Sequence, residues 1–89
     1  MTRVQKVGEL CIWYQTNPGT DTNVFTPNGT PKEKTKATAY SKLKKHLTVQ
    51  SQGKHLKDEA RQDWLAAQTL WNDTVIPMVA AKMNQMNST

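Results

Sequence analysis

Lysine is concentrated in one part of this chain. Between residues 32 and 57, eight lysines stand against a single acid, Glu33. Residues 1–31 carry no net charge and residues 58–89 carry −2, so the middle run supplies the whole +5 of the chain. The eight are Lys32, Lys34, Lys36, Lys42, Lys44, Lys45, Lys54 and Lys57. Such a run is typical of surfaces that bind phosphate groups or acidic partners.

Three functions fit this pattern. The first is binding of DNA or RNA through phosphate-backbone contacts, with little sequence preference because the run lacks the arginines that dominate recognition of guanine. The second is a protein-binding inhibitor or adaptor, of the kind that phages and mobile elements encode, docking on an acidic or nucleic-acid-binding surface of a larger host complex. The third is a surface that only keeps the protein soluble. Solubilising surfaces usually mix both charge signs, whereas this run is almost entirely positive, which argues against the third function. Nucleic-acid binding is our leading hypothesis.

The sequence lacks the usual constellations of catalysis and metal binding. His46 and His55 lie nine positions apart and Cys11 is the only cysteine, so no zinc-like ligand spacing exists. There is no glycine-rich phosphate loop. Three acids fall at the start of a predicted helix, where they interact favourably with the helix dipole and with i,i+4 partners: Asp58, Glu59 and Asp63. We therefore expect no enzymatic activity, no metal and no cofactor.

A helix-turn-helix motif within the lysine-rich part is not supported. With Gly53 as the turn glycine, the apolar position of the second helix falls on Glu59. The small-residue position of the first helix falls on Val49, which is bulkier than usual. A specific major-groove reader of this type is not expected.

Length and composition indicate one small domain at residues 1–89. Only 36% of the residues are hydrophobic and the mean hydropathy is −0.74, so the core must be thin or completed by a partner. No apolar stretch approaches the ~20 residues that cross a bilayer, and no signal-peptide pattern is present. We expect a cytoplasmic, intracellular protein in a reducing environment, with no membrane or small-molecule partner.

The N-terminal part, residues 1–16, fits two structures. As a helix, Thr2 and Gln5 form a capping box, and apolar residues recur at helical spacing. As a strand, residues 7–16 contain the β-forming stretch CIWY and would pair with residues 23–26 in a hairpin, which would give an α+β fold. The helix is slightly favoured. Residues 17–30 are a loop by composition, which Val24 and Phe25 attach to the core.

The rest of the chain predicts a mainly α fold built on an antiparallel helix pair. Thr30, Pro31 and Glu33 supply the signals of a helix start, so the basic helix is predicted at 31–51, with Gly53 as its stop. The amphipathic helix is predicted at 54–76. Pro77 is expected to kink or restart the helix, leaving a short terminal helix at 77–86.

Helical periodicity assigns the faces of the pair. In the basic helix, Tyr40, Leu43 and Leu47 form a narrow apolar seam, and Lys34, Lys42 and Lys45 point away from it. The amphipathic helix has a heptad-like seam, which consists of Leu56, Ala60, Trp64, Ala67, Trp71, Thr74 and Met78. A second apolar stripe is predicted to bind a partner or a second copy in a homodimer: Leu65, Ile76, Val79 and Met83.

Overall fold

The computed structural model describes residues 2–17, 20–48 and 54–87. Helix α1 spans Arg3–Thr16, α2 spans Lys34–Leu47, α3 spans Asp58–Leu70 and α4 spans Ile76–Asn87. A five-residue π-helical turn, Trp71–Val75, connects α3 to α4. The predicted mainly α fold is therefore confirmed.

Residues 2–16 form a capped helix. The Thr2 hydroxyl accepts a hydrogen bond from the Gln5 backbone N–H, and the Gln5 side chain accepts one from the Thr2 N–H. One face of α1 is buried, and it consists of Val7, Leu10, Cys11 and Tyr14. The strand alternative is wrong because residues 3–16 form a helix, along which these buried residues make one stripe.

The hairpin alternative is also wrong. Phe25 forms an isolated antiparallel bridge with Pro31, so residues 23–26 pair within their own loop and not with α1. Phe25 is fully buried and its ring contacts Trp13 and Tyr14 at centroid distances of 5.2 and 5.6 Å. Within the described residues this bridge is the only β pairing. The predicted attachment of the loop to the core by Val24 and Phe25 is confirmed.

Helix α1 lies parallel to α3 and the π turn. Near its start, the Arg3 backbone N–H donates to the Asp63 carboxylate at 2.9 Å. Further along, the Cys11 thiol lies 3.1 Å from the Thr74 hydroxyl. Both contacts advance along the two helices in the same direction, and α1 packs more extensively on α3 than on α2.

Helix α2 runs antiparallel to α3, as predicted. The Trp64 indole N–H, early in α3, donates to the His46 carbonyl at the end of α2 with a separation of 3.0 Å. Tyr40, earlier in α2, has its ring 5.3 Å from that of Trp71, which lies later in the chain. The three helices thus enclose a core that all of them share.

Helix α2 is shorter than predicted at its start. It begins at Lys34 with Glu33 as its N-cap, and not at Pro31 with Thr30 as its N-cap. Thr30 and Pro31 belong to the preceding loop instead. The Thr26 N–H donates to the Thr30 carbonyl at 2.9 Å. Pro31 takes part in the bridge with Phe25 and is buried.

The end of α2 also differs from the prediction. The helix stops at Leu47, where side chains of α3 bind its final carbonyl groups. Trp64 binds the His46 carbonyl and the Gln68 amide donates to the Leu47 carbonyl at 3.2 Å. These partners satisfy carbonyls that another turn of helix would have used. Gly53, the predicted stop, lies outside the described residues.

The second helix of the pair begins at Asp58, later than predicted, and continues through Pro77 to Asn87. The terminal helix predicted at 77–86 is present as α4, which starts one residue before Pro77, after the π turn. There the Ile76 N–H donates to the Trp71 carbonyl, five residues back. At about 1.5 Å per residue the continuous helix is about 45 Å long. This length matches the longest dimension of the molecule, 46 Å.

The core follows the predicted seams closely. Leu43, Leu47, Trp64, Ala67 and Trp71 are buried, as the helical periodicity predicted. Three further seam residues are half-buried: Leu56, Thr74 and Met78. Ala60, between Leu56 and Trp64 in this seam, is exposed.

Candidate nucleic-acid interface

The outer face of α2 presents three lysines to solvent. Lys34, Lys42 and Lys45 are all exposed, on the side of the helix opposite to the buried Leu43 and Leu47. None of the three ammonium groups forms an ion pair within the described residues. Because the three ammonium groups face water on one side of the helix, together they can bind a polyanion. We call these three residues the basic face.

Two other lysines of the run border the apolar seam of α2. Lys36 is half-buried. The Lys44 ammonium lies 6.0 Å from the centre of the Tyr40 ring, at the outer limit of a cation–π contact. Lys44 is otherwise exposed, so the two lysines differ in how closely they approach the seam.

The remaining three lysines lie beyond the ends of α2. Lys32 precedes the helix, whereas Lys54 and Lys57 follow it in the segment that leads into α3, and all three are exposed. A helix of 14 residues separates the two groups by about 21 Å. The eight lysines of the predicted site therefore do not form one surface. Three form the basic face, two lie beside the apolar seam, and three lie beyond the ends of α2.

Tyr40 belongs to the apolar seam, as predicted. Its ring packs against Trp71, and burial raises the pKa of its hydroxyl above the ordinary value of 10.0. The ring is engaged with the protein's own core. It is therefore not available as a stacking platform for nucleic-acid bases.

A groove of about 600 Å³ lies between the basic face and the start of α1. Arg3 and Lys6 of α1 line one wall and Lys42 of α2 lines the other, with Ala39 and Leu43 at the floor. Sequence reasoning missed Arg3 and Lys6, because the charges of residues 1–31 cancel. Only the tertiary packing of α1 on α2 shows that both extend the basic face.

Two carboxylates also line the groove, and one of them is fully engaged. Asp63 accepts hydrogen bonds from the backbone N–H groups of Arg3 and Val4 at 2.9 and 3.2 Å. Asp63 was predicted to interact with the dipole of its own helix; it caps α1 instead. Glu9, the other carboxylate, is exposed and forms no hydrogen bond or ion pair within the described residues.

The predicted partner stripe is only partly available for an interface. Leu65, Ile76 and Met83 are 38%, 49% and 37% exposed. Val79 instead packs against the protein's own core. Ile12 of α1, which the sequence patterns did not select, is the most exposed large apolar residue described, at 60%.

In the part of the chain that the structure describes, no group of three or more His, Cys, Asp or Glu side chains is arranged to hold a metal ion. Of the described helices, none has the length and apolar content to cross a bilayer.

The chain has no significant match to a known protein-family model, a curated protein or a solved structure.

Proposed function

We propose that this protein is a small, non-enzymatic nucleic-acid-binding protein that contacts the phosphate backbone through the basic face, Lys34, Lys42 and Lys45, together with Arg3 and Lys6. The observation that carries the proposal is that Arg3, Lys6 and Lys42 line one groove between two adjacent helices, while Lys34 and Lys45 are exposed on the same outer face of α2 as Lys42. Lysine acts as a point charge toward phosphate, so the contacts do not distinguish base sequence.

The distribution of charge also supports this function. The cations of the basic face lie on one side of α2, whereas exposed α3 mixes both signs at Asp58, Glu59 and Arg61. A surface that served only solubility would not require this segregation. Five phosphate contacts predict that the logarithm of the affinity for duplex DNA falls with the logarithm of salt concentration with a slope of about −4.5.

The test is a salt series of binding to a mixed-sequence fluorescent duplex. Replacing the basic face by glutamine (Lys34→Gln, Lys42→Gln and Lys45→Gln together) removes three contacts, so the slope should become shallower by about 2.7. The matched control is the triple variant Lys32→Gln, Lys54→Gln and Lys57→Gln, which removes the same charge beyond the ends of α2 and should change the slope less.

Equal losses in the two triple variants would show that net charge, and not this face, controls binding. Circular dichroism of each variant verifies that helicity is retained. If the unmodified protein binds no nucleic acid at low salt, the proposal is wrong.

A second candidate function, binding to a larger protein complex as an inhibitor or adaptor, is favoured by the exposed apolar residues Ile12, Leu65, Ile76 and Met83. In that case the basic face docks on an acidic protein surface and apolar contacts add affinity. Glutamate substitutions at Ile12 and Ile76 would then abolish capture of the partner. They would leave nucleic-acid binding unchanged if the first function is correct.

A further inference from the structure

The groove between α1 and α2 combines three features that a flat phosphate-binding surface does not need. Its floor is apolar, formed by Ala39 and Leu43, and its rim carries Arg3, Lys6 and Lys42. Its volume of about 600 Å³ lies within the range of pockets that hold small organic ligands. A site of this size and polarity can hold one nucleotide, with the phosphate on the rim and the base on the floor.

A carboxylate in a phosphate-binding groove requires its own explanation. Glu9 lines the groove, is exposed and has no hydrogen-bond or ion-pair partner within the described residues. A carboxylate repels phosphate, but it accepts hydrogen bonds from the exocyclic amino group of a base such as cytosine. Asp63 does not compete for the ligand, because both of its oxygens accept hydrogen bonds from the α1 backbone.

From this arrangement, and resting on the function proposed above, we infer that the groove binds one unpaired nucleotide of a single-stranded nucleic acid, with its phosphate on Arg3, Lys6 and Lys42 and its amino-bearing base against Glu9. A duplex keeps its bases paired and stacked, so it contacts the cations through its phosphates but places no base in the groove. The groove thus selects single strands over duplexes and bases with an amino group over thymine.

Two comparisons of affinity on the intact chain test the groove: single strand against duplex, and cytosine against thymine. The probes are fluorescent oligodeoxycytidine, oligothymidine of equal length and a mixed-sequence duplex, all at the same salt concentration. The expected order of affinity is oligodeoxycytidine, then oligothymidine, then duplex. One hydrogen bond to the base predicts a preference for cytosine over thymine of roughly threefold to tenfold.

Filling the groove separates this site from the basic face. Ala39→Leu enlarges the floor residue without changing any charge, so single-strand affinity should fall to the level of the duplex while duplex affinity remains. Thr38→Leu, at an exposed position on the groove wall, gives a second filling variant if the first fails to fold.

The role of Glu9 has a matched control. Glu9→Gln should reduce the preference for cytosine over thymine, whereas Glu59→Gln makes the same charge change on exposed α3 and should leave the preference unchanged. A duplex that binds as tightly as the single strands, or filling variants that weaken all three probes equally, would overturn the groove site while leaving backbone binding intact. Absence of binding to all three probes would instead refute the proposed function itself.

Discussion

Gly29 shows how one residue fixes the loop against the last helix. Its φ is 79°, and a Cβ atom built on it would overlap the carbonyl oxygen of Val79 in α4. The Tyr14 hydroxyl donates to the Gly29 carbonyl from the other side, at 3.2 Å. The residue is therefore restricted to glycine both by its backbone conformation and by the space around it.

Gly29→Ala should lower the free energy of unfolding by about 2–4 kcal/mol, the combined cost of a left-handed alanine and of overpacking. Gly8, inside α1, provides the control. A Cβ atom there meets nothing within 4 Å, so Gly8→Ala should raise stability by about 0.5–1 kcal/mol. Urea unfolding measures both variants. Equal stability of Gly29→Ala and the parent would mean that the loop can leave α4 without cost.

At the scale of elements, α3 holds the ends of both neighbouring helices. Asp63 binds the first N–H groups of α1, and Trp64 and Gln68 bind the last carbonyls of α2. These side chains come from only six consecutive positions, so this short part of α3 positions both walls of the groove.

Asp63→Ala should destabilise the protein by about 1–2 kcal/mol, the usual cost of losing an N-cap acceptor. Hydrogen exchange should speed up selectively in the first turn of α1. Asp73→Ala removes an exposed carboxylate from the π turn and should change stability by less than about 0.5 kcal/mol. A uniform increase in exchange along all helices would show that Asp63 contributes to the core in general and not to the start of α1.

Sequence reasoning identified the buried and exposed faces of the helices better than their ends. Periodicity places Leu43 and Lys45 on opposite sides of α2 without knowledge of its neighbours. Helix ends depend on which groups bind the free backbone N–H and carbonyl groups. The sequence predicts Thr30 as an N-cap, but its carbonyl accepts a hydrogen bond from Thr26 within the loop. The groove was beyond prediction for a related reason, because it depends on the packing of α1 on α2, more than 30 residues later.

At the scale of the whole molecule, the raised pKa values of Tyr14 and Tyr40 determine how the free energy of unfolding should depend on alkaline pH. Burial raises the pKa of Tyr14, and the charge of Tyr40 adds a smaller effect; burial alone raises the pKa of Tyr40. Since both pKa values are higher in the folded than in the unfolded state, the stabilisation is complete below the ordinary value of 10.0. It is lost as the pH rises from there toward the folded values.

Stability should therefore fall as the pH rises above about 10, with tyrosinate absorbance appearing as the protein unfolds. Tyr40→Phe should reduce this fall, and Tyr14→Phe should reduce it further, although the second variant also loses the hydrogen bond to Gly29. Parent and variants differ only at the tyrosines, so comparing them at each pH isolates the tyrosine contribution. A fall of the same size in all three proteins would contradict the prediction.

Helix α1 and its C-cap form several tertiary hydrogen bonds with the far end of the chain. Arg3 is bound by Asp63, Cys11 contacts Thr74, and the carbonyl of Asn17 accepts from Lys82, at separations of 60, 63 and 65 residues. A helix of 14 residues is only marginally stable alone in water. During synthesis, the residues of α1 are translated well before Asp63, Thr74 and Lys82, so the helix has to wait for these partners. Of the described helices, the first in the chain is therefore one of the last to be fixed in place.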